Sequence, residues 1–425
     1  MRKKFLAVAS SLVLISVALS AAIQKTSTNI KRLTYSGNNV VHYPSLSEDG
    51  RRMAYILEIK ESEKPIKSVR AKNVEDGKER ELFRDQTVKA PAPFQDAFLV
   101  VGSKPPAISG NGDMVCFALS LDVPLSVLDH FLAVAKTDGS EIWFLPFPLQ
   151  ALQGRDLRPL DFTSPDWERV ANYAISHDGS RIACVLKGHL GPRRYGNPSG
   201  IILLETITRK QRTLLAPDFN GKEWTWPSSP RSPLTGGGWA FCLSGDGNKL
   251  VFGAQSSPEK TDYDLYAADW TSGEIKRITD FHDRWFSQAD ISRDGRTVVF
   301  FYNGKTKQGI GTYIIKSDGS GLKYVESKLA PRIEFLDMSS NGRFIFFKHL
   351  YKGIVLDLEN SSEQVAFDEN TPGYATGISP MDFPRLPAFW QPAVVSSNGE
   401  RVVLVGPPQG KESPEIYILS LRMNE

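Results

Sequence analysis

The residues of this chain that could do chemistry are few and scattered. FHDRW (Phe281–Trp285) gathers His282, Asp283, Arg284 and Trp285 into one short segment. An imidazole beside a carboxylate is acid–base equipment, but neighbours on an extended segment point to opposite sides. His42 and His189 are the histidines a fold could bring to His282, and three imidazoles from separate segments would suit a metal ion. Asp290 and Asp337 each stand two residues before a Ser, where a carboxylate can bind a cation or cap a backbone amide. No C-x-x-C spacing, Cys/His cluster or G-x-S-x-G nucleophile elbow occurs. What the chain does hold is a set of Trp, Tyr and Arg of the kind that anchors binding surfaces: Arg193, Arg194, Tyr195, Trp224, Trp226, Arg284, Trp285 and Trp390.

Composition narrows the classes. The chain has 425 residues, 41% of them hydrophobic, which is enough for a packed core and excludes a disordered chain. Lys and Arg total 51 against 48 Asp and Glu, so no nucleic-acid partner is expected. Arg2, Lys3 and Lys4 precede an apolar run from Phe5 to Leu19 and the small residues Ser20–Ala22, the pattern of a secretory signal peptide over residues 1–22. Without those three basic residues the two signs balance. The apolar run is shorter than the roughly 20 residues of a membrane span, and nothing downstream approaches one, so no membrane span is expected after cleavage. Export makes the location periplasmic or secreted. Cys116, Cys184 and Cys242 read as small buried hydrophobes.

The elements that must position these residues come from a repeat. One pattern recurs seven times: an aliphatic residue, Ser, any residue, Asp or Asn, Gly, two variable residues, then three mostly apolar ones. The copies are LSEDGRRMAY, ISGNGDMVCF, ISHDGSRIAC, LSGDGNKLVF, ISRDGRTVVF, MSSNGRFIFF and VSSNGERVVL, with glycines Gly50, Gly112, Gly179, Gly247, Gly295, Gly342 and Gly399. Asp and Asn bond nearby backbone and Gly accepts positive φ, so each copy is a hairpin turn. Residues after the turn, such as Val298–Phe301, are apolar on both faces, as in a strand stacked between two sheets. A second hairpin follows each copy, as in DLYAADWTSGEIKRIT (Asp264–Thr279). Four strands about every 57 residues make the blades of a seven-bladed all-β propeller. The seventh unit lacks a fourth strand, and IKRLT (Ile30–Thr34) resembles the fourth strand IKRIT (Ile275–Thr279), so Ile30–Thr34 is expected to complete it beside Ile416–Ser420. Residues 23–425 then form a single domain.

The repeated S-x-[DN]-G turn resembles the WD40-like (PD40-type) propeller repeat of the TolB family over roughly Ile30–Glu425. That family's turn usually reads W-S-P-D-G, and Trp and Pro are absent from all seven copies here. The family's N-terminal α/β domain has no counterpart, since few residues separate the leader from Ile30. The resemblance implies fold and leaves function open.

In such a propeller the S-x-[DN]-G turns leave one face, and the connections between blades leave the other. The long connections, about Arg84–Pro106, Pro146–Arg169, Ala216–Gly238 and Asp368–Gln391, together with the insertion Lys187–Gly200, fall on that second face. They carry most of the Trp and Arg named above, as well as Trp167, Arg231 and Arg385. Loops on a rigid scaffold are where function usually resides, although the same Trp can serve as a small core for loops folded over the propeller mouth. The sequence therefore reads as an exported, non-catalytic binding or scaffold module. Its expected partner is a protein, peptide or envelope glycan held by Arg193, Arg194, Tyr195, Trp224, Trp226, His282, Arg284, Trp285 and Trp390, with no cofactor or metal. The alternative is a propeller lyase or hydrolase acting on a sugar or lactone at the channel mouth.

Overall fold

The turn chemistry works as the residue types require. In the first copy the Ser47 hydroxyl donates to Asp49 Oδ1 at 2.6 Å and accepts the Arg52 N–H at 2.9 Å. Asp49 Oδ1 also accepts the Arg51 N–H, and the Gly50 N–H closes the turn on the Ser47 carbonyl, both at 2.9 Å. The same Ser-to-Asp/Asn bond recurs at Ser109, Ser176, Ser244, Ser292 and Ser339. These serines are buried, so without that exchange each would strand polar atoms away from water. Gly50 has φ +68°, and a Cβ there would lie 2.7 Å from Arg401 Cδ of the neighbouring blade. Only glycine meets both demands.

The computed structural model describes residues 29–35, 39–60, 64–90, 96–102, 104–122, 129–146, 169–187, 198–215, 240–255, 263–281, 286–302, 304, 309–329, 334–349, 352–367, 394–396, 400–406 and 415–420. They form seven antiparallel sheets, each wound outward from the axis. Blade 1 comprises Val40–Leu46, Arg52–Ile59, Ile66–Asn73 and Glu79–Arg84. Blade 5 comprises Phe286–Ile291, Thr297–Tyr302, Gly311–Lys316 and Lys323–Tyr324. The first strands of successive blades touch one another all the way round, which makes a closed ring. No helix among the described residues is long and apolar enough to cross a membrane.

The core is a series of layers between blades. In the second strand of blade 5, Val298 and Phe300 pack towards blade 4 with Val251, Leu265 and Phe281, while Val299 and Phe301 pack towards blade 6 with Ile345, Phe347 and Leu356. Both faces are dry, as the run of apolar residues predicts. At about 1.5–3 kcal/mol for each large apolar side chain, these layers outweigh any surface contact.

Ring closure also follows the sequence. Asn29–Arg32 pairs with Glu415–Ser420, setting Ile30 opposite Leu419 and Arg32 opposite Tyr417. Leu33 N–H continues the ladder to the Ile416 carbonyl at 2.8 Å. Glu415 is buried at the seam, where Arg32 Nη2 and Thr34 Oγ1 each donate to its carboxylate at 2.5 Å. The residues of the expected leader lie outside the described residues.

Blade 2 departs from the expectation of one long loop over Arg84–Pro106. Leu99–Val101 and Ala107–Ile108 both pair with Met114–Leu121, so its first strand is split in two. Pro105 and Pro106 stand at the break, where neither can donate to the ladder. The preceding stretch is a small hairpin, with Leu99 N–H bonded to the Val88 carbonyl and Ala90 N–H to the Ala97 carbonyl, both at 2.9 Å. Ala90 and Ala97 join the apolar layer between blades 1 and 2.

Candidate functional site

All nine expected contact residues, Arg193, Arg194, Tyr195, Trp224, Trp226, His282, Arg284, Trp285 and Trp390, lie outside the described residues, as do Trp167, His189, Arg231, Arg385 and Gly399. Among the described residues, the strand ends at Lys187, Pro198, Arg277 and Phe286 lie at the end of the blades opposite the S-x-[DN]-G turns.

At the turn end, the unspecified residues of six turns, Glu48, Gly110, His177, Gly245, Arg293 and Ser340, come together in side-chain and backbone contacts between blades. Side chains from blades 1, 3 and 5 meet: His177 Nδ1 lies 2.9 Å from Glu48 Oε2, and Arg293 Nη1 lies 3.5 Å from the same oxygen. Non-adjacent blades can touch only across the axis, so this cluster caps the turn end. The intervening glycines make room. A Cβ on Gly110 would sit 2.2 Å from His177 Nδ1, and one on Gly245 would sit 2.6 Å from Arg293 Cγ. Backbone bonds lace the same ring, with Glu48 N–H on the Gly110 carbonyl, His177 N–H on Gly245 and Arg293 N–H on Ser340. The turn repeat alone did not mark this position, because Glu48 and His177 become partners only when the ring closes. The alternation of long charged residues with glycines was the available signal.

Further along the axis, the residues two before each Ser include Cys242, Asp290 and Asp337 on blades 4, 5 and 6. Asp290 Oδ1 accepts the Ile291 N–H at 2.8 Å, and Oδ2 accepts the Met338 N–H of the next blade at 3.3 Å. Burial pushes the Asp290 carboxyl up to about 6, while those amides and a side-chain bond with Asp337 pull the other way. The bond from the Met338 amide ties blade 5 to blade 6. Cys242 is buried beside Asp290, and burial together with the Asp290 charge holds the thiol well above its usual range. Cys116 and Cys184 are likewise free and buried.

His42 belongs to blade 1, with Nε2 3.4 Å from Glu58 Oε2. Burial lowers its pKa, offsetting the attraction of Glu58. Among the described residues no group of three or more His, Cys, Asp or Glu is arranged to hold a metal ion.

No family model matches the sequence, and no curated protein matches it. Solved structures do match. The β-propeller domain of the Trilobed protease from Pyrococcus furiosus, which has an open velcro topology, is 11% identical; the match covers 91% of this chain and 98% of that one, with a TM-score of 0.51. The acylaminoacyl peptidase of Pyrococcus horikoshii is 13% identical over 92% of this chain, with a TM-score of 0.52, and this chain spans only 52% of it. TolB from Acinetobacter baumannii matches at 15% identity over 91% of this chain and 81% of that one, with a TM-score of 0.39. At these identities the likeness concerns fold alone, and the fold is the seven-bladed propeller that the TolB-like repeats imply.

Proposed function

We propose that this TolB-like propeller is exported by its residue 1–22 leader and acts as a non-catalytic binding or scaffold module over residues 23–425. It captures a protein, a peptide or an envelope glycan on the long-loop face. The observation that carries this reading is the capped turn end: Glu48, His177 and Arg293 meet across the axis, and the turns satisfy their own polar groups. Access from solvent is then left to the opposite face, on which the sequence expects the long connections with their Trp and Arg. Trp, Tyr and Arg there are suited to anchoring a partner. The test is capture from a solubilised envelope extract and, separately, binding of soluble cell-wall glycan. Trp224→Ala with Trp226→Ala is expected to weaken both or one of these, and unchanged capture would move the site elsewhere.

One observation favours a second reading. Asp290 bonds the Asp337 side chain, and burial raises its carboxyl to about 6, which is equipment suited to acid–base catalysis. A lyase or hydrolase acting on a sugar or lactone would lose turnover on Asp290→Asn and on Asp337→Asn. Turnover of uronate oligomers or lactones that survives both changes would remove this option.

A further inference from the structure

Blade 1 borders blade 7 at the closure seam, and a cavity of about 330 Å3 opens there. Small-molecule sites begin at roughly that size. Its lining is mostly polar, Leu57 and Ile59, both buried, contribute a small apolar patch, and Tyr35 stands at its edge, 76% exposed. The Arg32 guanidinium lies 4.5 Å from the Tyr35 ring centre. The closing N-terminal segment therefore contributes part of the wall.

Three charged residues line this space: Arg70, Glu79 and Arg84. Arg70 is fully engaged, donating to Glu79, to Glu81 Oε2 at 3.2 Å and to Ser68 Oγ at 3.1 Å. Glu79 is engaged too, accepting from the Tyr55 hydroxyl at 2.6 Å and from Lys72 Nζ at 3.3 Å. Burial opposes its charge, but the bonds from Tyr55 and Arg70 outweigh that and hold its pKa below the usual range. Arg84 differs. Among the described residues its guanidinium has neither a hydrogen bond nor an ion pair, so the wall keeps one uncompensated positive charge.

A local irregularity aims Arg84 into the cavity. Along the last two strands of blade 1, Arg70 faces Glu81 and Ser68 faces Arg84, with the register shifting between Val69 and Arg70. The extra residue on the outer strand is Leu82. Without that bulge the side chain at position 84 would fall on the opposite face from Glu79 and Glu81, because strand side chains alternate. Asn39 adds donors. Its Oδ1 accepts the Lys60 N–H at 3.2 Å, which leaves the NH2 for another acceptor.

We propose that the seam cavity binds a small organic carboxylate, with Arg84 gripping the carboxylate and Leu57 and Ile59 receiving its apolar part. A guanidinium matches a carboxylate in two parallel bonds, and the small apolar patch of Leu57 and Ile59 beside it can contact a short hydrocarbon or aromatic body. Because Thr34 and Tyr35 line the same space, occupancy stabilises the closed ring and raises the melting temperature by mass action.

The test uses the full chain with benzoate, its neutral isostere benzamide, and a calorimetric titration alongside a melting curve. Benzoate is expected to bind saturably and raise Tm, and benzamide to do neither. Arg84→Ala should weaken benzoate binding by at least about 10-fold, the loss of a charge-assisted bond. Arg84→Gln keeps the stem and should weaken it similarly, which guards against a folding defect in the alanine variant. Arg80→Ala, an exposed arginine of the same strand, should leave it unchanged. Absent saturable binding, equal binding of benzamide, or wild-type affinity in both Arg84 variants would overturn the proposal.

Discussion

Arg32→Ala offers the sharpest test of how the ring is held shut. Glu415 retains 1% of its side-chain surface, and its carboxylate accepts from Arg32 Nη2 and Thr34 Oγ1, each at 2.5 Å. Thr34 Oγ1 in turn accepts the Ile416 N–H at 2.9 Å. Removing one partner of a buried ion pair costs about 3–5 kcal/mol, because the other charge is stranded. Arg32 keeps 24% of its surface and the Thr34 bond survives, so the expected loss falls below that range, at about 2–3 kcal/mol. A melting entropy near 2 cal/mol/K per residue gives a chain of this size about 0.8 kcal/mol per degree, hence a fall in Tm of about 3–4 °C. Calorimetry measures it directly, and hydrogen exchange should show the amides of Ile30–Leu33 opening first. Adding Glu415→Gln removes the stranded charge and should restore part of the loss. A single variant that melts within about 1 °C of the wild type, or a double variant no better than the single, would refute this reasoning.

Other consequences follow from the same physics. Asp290 is raised to about 6 in the folded protein, so protonation is favoured by folding, and the associated stability is present at low pH and lost as pH rises through about 6. At about 1.4 kcal/mol per pKa unit, the unfolding free energy should fall by about 1 kcal/mol between pH 5 and pH 7, and Asp290→Asn should flatten that slope. Ser244→Ala removes a buried hydroxyl that bonds both Asp246 and the Lys249 amide, and should cost about 1–3 kcal/mol in urea unfolding. Cys116, Cys184 and Cys242 should resist a thiol reagent in the native state and react once the chain is unfolded.

What the sequence made legible was whatever depended on local chemistry. Ser, Asp or Asn, and Gly each have one job within a turn, so seven copies identify seven turns without knowledge of the ring. Val298–Phe301 could only be a strand covered on both sides, and the likeness of Ile30–Thr34 to Ile275–Thr279 exposed the closure. Contacts made across the ring were harder to read. Glu48, His177 and Arg293 occupy a position that the repeat leaves unspecified. Likewise, the two residues after each Gly look variable, yet Arg52, Arg181 and Arg401 use the second of them to donate to the carbonyls of Gly112, Gly247 and Gly50 on the next blade. The bulge at Leu82 and the split first strand of blade 2 depend on register, which composition does not record.

The central question is which end of the propeller meets a partner. The direct measurement is capture from a solubilised envelope extract by three forms of the mature protein: wild type, Trp224→Ala with Trp226→Ala, and Glu48→Ala with Arg293→Ala. Loss of a specific captured component by at least about 10-fold in the tryptophan variant, with wild-type capture by the turn-end variant, is the predicted result. Capture that survives the tryptophan changes and fails when Glu48 and Arg293 are removed would place recognition at the opposite end and contradict it.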